Sequence, residues 1–179
     1  MKTNIAKKWN EKAEAYSKMA SSKHADAYEY EINFPSIIKL CPQQANSVLD
    51  LGCGDGGFTK ILSEKYDSVI GADVSPKMIK LAKLNCPNIN FLVADLDNTL
   101  PIIHKSFDLV IMKLVLMFVE NLENVALKVS KITKSGSYII ISVPHPTYWT
   151  AYYLQDKYGY KNRPSFRILD NGYFTEKAN

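Results

Sequence analysis

Five apolar runs alternate with helical patterns along this chain. The runs are Ser47 to Leu51, Ser68 to Asp73, Ile89 to Ala94, Phe107 to Met112 and Ser137 to Val143. They read as nearly continuous Val, Ile and Leu, not as alternation, which marks strands covered on both faces, as in a parallel sheet. Between them lie helical patterns at about Gly57 to Tyr66, from Ser75-Pro76 to Lys83 or Leu84, and at Leu122 to Ile132. Ser75 is a capping residue with proline in the first turn. Ser135-Gly136 is the expected stop of the last helix. Two further helices precede the first strand, about Ile5 to Met19 and Asp26 to Leu40. This order predicts a doubly wound α/β fold with its ligand crevice outside the carboxyl ends of the strands. A single domain over 1–179 is expected: a helical cap at 1–45, a core at 46–143 and an aromatic tail at 144–179.

The first strand runs into Gly52-Cys53-Gly54-Asp55-Gly56-Gly57, a glycine turn opening a helix. Such a turn holds a nucleotide-like ligand against backbone N–H groups. Its glycines fit both G-x-G-x-x-G and G-x-G-x-G, so carboxylates must decide the ligand. Asp50 lies two residues before the first glycine and Asp55 lies inside the turn. A dinucleotide would bring a doubly negative pyrophosphate against both. S-adenosylmethionine would bring a cationic amine and a sulfonium, which carboxylates attract. Asp73 ends the second run 21 residues after Gly52, where an acid accepts from ribose hydroxyls. Asp95 follows the third run another 22 residues on, where an acid can accept from an adenine amino group. An Asp after a strand can equally be a turn or cap residue.

In this ordered series the chain resembles a class I S-adenosylmethionine-dependent methyltransferase of the small-molecule type, with a Rossmann-like, mostly parallel sheet. Val48 to Gly56 is similar to the family's first motif and Val69 to Met78 to its second. Ala94-Asp95-Leu96 resembles the adenine-contacting motif, Phe107 to Met112 the fourth strand, and Gly136 to Val143 the turn and fifth strand. Trp9 to Tyr16 looks like the lead-in helix whose tyrosine closes over the methionine end of the cofactor. The resemblance implies S-adenosyl-L-methionine held by Tyr16, Asp50, Gly52, Cys53, Gly54, Gly56, Asp73, Val74, Met78, Ala94, Asp95 and Leu96. Cys53 would act through its backbone. Lys113 would face the cofactor or acceptor, or else be a solvated loop lysine. The family places antiparallel strands beside the fifth; no helix-plus-hairpin pattern is found in 144–179, so these are expected to be missing.

Composition narrows the rest. With 46% apolar and 22% charged residues, 179 residues suffice for one good core. Cys41, Cys53 and Cys86 lack metal spacing and read as reduced thiols of a cytoplasmic protein, and no two histidines form a metal pair. The charged start contains no secretory pattern, and the longest apolar run, Leu109 to Val119, has 11 residues, too short to span a bilayer. Net charge of +4 permits RNA or an anionic acceptor without demanding either, and no DNA-methylating Asn-Pro-Pro-Tyr follows the fourth strand.

For chemistry, His145 follows the fifth strand between Pro144 and Pro146 and has a pKa suited to a general base, or else packs a loop. His24 and His104 sit in polar surroundings and read as solvated. Methyl transfer to an O, N or C atom of a small-molecule acceptor is the expected function. The alternatives are a cofactor-binding but catalytically incomplete domain acting with a partner, and an NAD-dependent oxidoreductase. A bare fifth-strand edge would call for a homo-oligomer, a completing partner chain, or cover from the tyrosine-rich tail.

Overall fold

The computed structural model describes residues 5–20, 29–98, 100–101, 107–144, 166–168 and 174–176. The chain divides into two compact units, 1–142 and 143–179. In the first, α1 (Ile5–Ala20) is followed by a π-helical turn at Glu29–Asn33 and α2 (Phe34–Leu40). Then come β1 (Val48–Leu51), α3 (Gly57–Lys65), β2 (Val69–Asp73), α4 (Pro76–Asn85), β3 (Asn90–Val93) and β4 (Phe107–Lys113). A 3₁₀ turn at Leu116–Phe118, α5 (Leu122–Ile132) and β5 (Thr133–Ser142) complete it. The sheet order is β3-β2-β1-β4-β5 and every pairing in it is parallel. The direction of winding reverses between β1 and β4, which places the ligand crevice at their carboxyl ends.

Both faces of the sheet are buried over β1, β2 and β4, as their unbroken apolar runs require, while most of β5 is exposed. Val48, Val69, Leu109, Ile111 and Ile140 pack against Phe34 and Ile37 of α2 and Phe58 and Leu62 of α3. Leu49, Leu51, Ala72, Val110 and Met112 face the other way, against Val125, Val129 and Ile132 of α5. A third cluster lies under the glycine turn: Cys53, Ile79, Ala82, Cys86 and Phe91. There the Phe91 ring covers Gly71, its neighbour across β2 and β3. A Cβ on Gly71 would lie 2.5 Å from that ring and one on Gly56 would lie 3.1 Å from it. Local signals set the helix starts. Ser75 Oγ accepts from the Met78 N–H at 3.1 Å, and Asn121 Oδ1 accepts from the Asn124 N–H at 2.8 Å. At the opposite edge, Asp108 Oδ2 accepts from the N–H groups of Asn46 and Ser47, tying the starts of β1 and β4 together.

The end of α5 differs from expectation. Ser135-Gly136 is not a helix stop, because the chain turns extended at Thr133, whose Oγ1 donates to the Val129 carbonyl at 3.0 Å. Gly136, at φ 80°, sits instead in an irregularity of β5, where pairing jumps from Phe107↔Thr133 to Leu109↔Tyr138. Ser137 Oγ on Phe107 O and Lys134 on Asp108 hold this stretch to β4. The predicted second helix also differs: residues 29–33 form one π-helical turn before α2 begins.

Among the described residues, β5 forms the open edge of the five-stranded sheet, without antiparallel neighbours. The second unit contains an antiparallel pair of its own, β6 (Phe166–Ile168) with β7 (Phe174–Glu176). Strands of three residues are too short to show a two-residue period, so the sequence carries no hairpin pattern there. Among the described residues no helix is long and apolar enough to cross a membrane.

Candidate functional site

The carboxyl ends of β1 and β2 bring two carboxyl groups to the glycine turn. Asp50 leaves β1 wholly buried, at 1% exposure, and accepts from the Thr59 hydroxyl of α3 at 2.7 Å. Burial pushes its pKa up to about 6, against the Thr59 hydrogen bond and the positive charge of Lys113, with the negative charge of Asp73 adding to the rise. Asp73, at the end of β2, reaches back to the turn. Its Oδ2 accepts from the Gly54 N–H at 3.1 Å and its Oδ1 from the Ser75 N–H at 2.9 Å. Burial raises its pKa too, opposed by backbone N–H groups of Ser75, Gly54 and Val74.

The turn is built for close approach. The N–H groups of Gly52 and Cys53 both donate to Ala72 O, at 2.7 and 3.0 Å, which seats the turn on β2. Gly52, Gly54 and Gly56 all have positive φ. A Cβ at Gly52 would lie 2.7 Å from Val115, so packing forbids one. A Cβ at Gly54 would meet only Tyr16, at 3.8 Å. The space over Gly54 is therefore a cradle, roofed by an aromatic ring of α1. Cys53 turns its sulfur into the cluster around Phe91, and burial pushes its thiol pKa well up. That leaves its backbone at the cradle and its thiol inert.

Helix α1 is fastened at two points. Trp9 packs edge-on against Tyr16 and against Phe118, with ring centroids 5.7 and 5.4 Å apart. Asn10 Oδ1 accepts from Ser75 Oγ at 2.6 Å and from the Lys77 N–H at 3.1 Å, joining α1 to the start of α4.

Of the residues read from sequence, Asp50, Gly52, Cys53, Gly54, Gly56, Asp73 and Tyr16 meet around this cradle. Val74 links Asp73 to Ser75. Met78, at 1% exposure, is core under the α4 cap, and Ala94 and Leu96 are buried against the face covered by α5. Asp95 is committed locally: Oδ1 accepts from the N–H groups of Asp97 and Asn98, and Oδ2 from Asn98 Nδ2. Lys113 is not a solvated loop lysine. It ends β4 in an ion pair of 2.8 Å with Glu29, both side chains 12% exposed, and lies over the Phe34 ring. Asn33 Nδ2 donates to both oxygens of the same glutamate. His145 lies outside the described residues, as do His24 and His104.

Sequence reasoning missed Glu29, Asn33, Thr59 and Leu114. Glu29 pairs across 84 positions and carried no local signal. Thr59 stands nine residues after Asp50 on the first turn of α3, where a hydroxyl could reach back to the strand end. Leu114 follows β4 at φ 54°, a left-handed conformation that an L side chain adopts at a cost, with its N–H donating to Ser142 O. Nothing in its sequence neighbourhood announced it.

The acidic cradle suits a ligand carrying positive charge and hydroxyl donors. Cationic charge placed there would relieve two carboxyls whose pKa values burial holds up. A pyrophosphate would worsen the same field.

Comparison with known proteins agrees. The profile of the family described as "Methyltransferase domain" matches residues 49–141. A malonyl-[acyl-carrier protein] O-methyltransferase of Hamiltonella defensa is 29% identical over 141 residues, 79% of this chain and 52% of that protein. A demethylmenaquinone methyltransferase of Tropheryma whipplei is 30% identical over 106 residues, 58% of this chain and 44% of that protein. The chain thus spans about half the length of these curated relatives. Among solved structures, an S-adenosylmethionine-dependent methyltransferase from Mesorhizobium loti superposes with a TM-score of 0.61 at 30% identity, over 81% of this chain and 63% of that one. One from Thermotoga maritima, 21% identical over 89% of this chain and 72% of that one, shares the fold at a TM-score of 0.71.

Proposed function

Since the chain belongs to the class I S-adenosylmethionine-dependent methyltransferases, we propose that it binds this cofactor over β1, β2 and β3 and methylates an O, N or C atom of a small-molecule acceptor. The observation that carries the reading is the Asp73 carboxylate, bound to the N–H groups of Gly54 and Ser75 at the mouth of the acidic cradle. Its remaining lone pairs suit the two hydroxyls of a ribose. When bound, the cofactor supplies an electrophilic methyl group on a sulfonium.

The chain's own residues would hold and orient. Asp73 would accept from ribose hydroxyls, Asp95 from an adenine amino group, and Asp50 would balance the cationic end. Gly52, Cys53, Gly54 and Gly56 would bring backbone against the ligand. Tyr16 would shut water from the methionine end. Val74, Met78, Ala94 and Leu96 would shape the walls, and Lys113 would face the reacting side. His145 would take the proton from an acceptor that carries one. Much of the rate enhancement in such a displacement comes from alignment of acceptor and methyl, which a fastened α1 and an ion-paired Lys113 favour.

The acceptor class is a carboxylate, hydroxyl, amine or ring carbon of a metabolite. The relatives' names span a malonyl-[acyl-carrier protein], methylated on oxygen, and demethylmenaquinone. A second reading, a cofactor-binding domain that needs a second copy or another chain for turnover, is favoured by β5. At that edge strand Tyr138, Ile139 and Ile141 are each about half exposed. Calorimetric titration with S-adenosylhomocysteine and with NADH tests the cofactor, followed by a methyl-transfer assay on cell extract. Binding of the first alone supports the proposal, and binding of NADH alone overturns it. Binding without turnover favours the second reading.

A further inference from the structure

A pocket of about 450 Å³ opens on the outer side of the glycine turn, between the last turns of α1, the first turn of α3 and the end of α4. That is the size range of small-molecule sites. Asp55 lines it and is 8% exposed, yet among the described residues its carboxylate receives no hydrogen bond and makes no ion pair. A buried carboxylate without a partner is costly. The geometry aims it at the pocket. Asp55 Oδ1 and the Tyr30 hydroxyl lie 3.7 and 3.6 Å from the same point, the position a Cβ on Gly57 would take. Asn85 Nδ2 donates to Asp55 O at 3.1 Å and fixes the turn in that pose. Glu14 adds a second carboxylate from α1.

We propose that this pocket binds an organic ammonium group on Asp55, at a site separate from the cradle over Gly54. The class follows from what is missing. The buried oxygens need N–H donors with positive charge, and a charge-assisted hydrogen bond is the strong way to supply them. The Tyr30 hydroxyl adds an acceptor at the same point. Lys18 and Lys60 also line the pocket, at exposed positions, and among the described residues neither forms an ion pair with Asp55. Gly57 belongs to the same arrangement, since the open space at its missing Cβ is where the two oxygens converge. The proposal does not rest on methyl transfer.

The test is a titration of the full chain with ethylammonium chloride, followed by NMR chemical shifts and calorimetry, beside one with inorganic phosphate. Saturable ethylammonium binding is expected, persisting in the presence of saturating S-adenosylhomocysteine. Asp55→Asn should weaken it at least tenfold. Leu81→Trp, which fills the pocket from α4, should abolish it while S-adenosylhomocysteine affinity stays within twofold. Ethylammonium binding that is equal in both variants and the parent chain overturns the site. So does its displacement by S-adenosylhomocysteine. Saturable phosphate binding in place of ethylammonium overturns the charge assignment, because the rim lysines would then be the ligand-holding groups.

Discussion

Replacing Asp50 by Asn should stabilise the ligand-free protein at neutral pH while weakening it as a cofactor binder. Asp50 is 1% exposed and has Thr59 Oγ as its side-chain hydrogen-bond partner. Its pKa rises from 3.8 to about 6, chiefly through burial. At about 1.4 kcal/mol per pH unit, that rise of about two units costs the folded state about 3 kcal/mol once the group is ionised. The folded state holds this proton more tightly than the unfolded chain. The cost is therefore fully present above pH 6, shrinks to about half at pH 5, and is gone below about pH 4.

Asparagine keeps an acceptor for Thr59 but carries an amide nitrogen that needs its own partner, a penalty of about 1–3 kcal/mol if unmet. The net gain of the variant at pH 7.5 should then be about 0–2 kcal/mol, and it should fall by about half of the ionisation cost between pH 7.5 and pH 5. Urea unfolding of both proteins at the two pH values measures it. A variant less stable at pH 7.5, or a gap that does not change with pH, would refute the claim that Asp50 is strained by its own charge. With S-adenosylhomocysteine present the ranking should invert, since the parent carboxylate then gains the ligand's positive charge.

Asp73→Ala should weaken S-adenosylhomocysteine by one or two charge-assisted hydrogen bonds, each about 1.5–3 kcal/mol, and unchanged affinity by calorimetry would remove the ribose role. Gly52→Ala and Gly54→Val should fail differently. The first drives a methyl group to 2.7 Å from Val115 and lowers the unfolding midpoint. The second meets only Tyr16 but strains the backbone at φ 56°, so it too lowers the midpoint; the folded variant should show a native circular dichroism spectrum with no cofactor binding, and binding retained there means that the turn is not the site. Glu29→Gln strands the Lys113 ammonium at 12% exposure and should cost on the order of 3 kcal/mol in unfolding experiments. A loss below about 0.5 kcal/mol would mean the pair behaves as an ordinary surface bridge.

The parts of the fold that recur within a short window were legible in the sequence. Continuous apolar runs located β1 to β4 within a residue or two, because strands covered on both faces admit no polar alternation, whereas β5 begins at Thr133, four residues before its apolar run. The meeting of Asp50, the glycines and Asp73 at one sheet edge was legible for a related reason, since acids and a glycine turn that directly follow apolar runs fall at strand ends. The polar partners reached across the fold were not. Glu29 stands 84 positions from Lys113, and only folding brings them to 2.8 Å. The left-handed Leu114 has no composition signal, since glycine or asparagine is what such a conformation normally shows. Gly136 misled in the opposite sense: a glycine after a helix is commonly a stop, and here Thr133 had already ended the helix one turn earlier.

The Phe91 ring has a bearing on how this domain can change by mutation. It lies 2.5 Å from the point where Gly71 would place a methyl group and 3.1 Å from the corresponding point on Gly56. Position 71 therefore cannot drift to alanine while the ring stands, however mild that exchange is elsewhere. A smaller residue must first arrive at 91, through an intermediate that carries a cavity beneath the glycine turn. Such cavities destabilise by about 2–5 kcal/mol for a large truncation. The three positions form a one-way gate in sequence space. A lineage that begins with two glycines and an aromatic ring is held to that combination unless stability gained elsewhere lets it cross the gap.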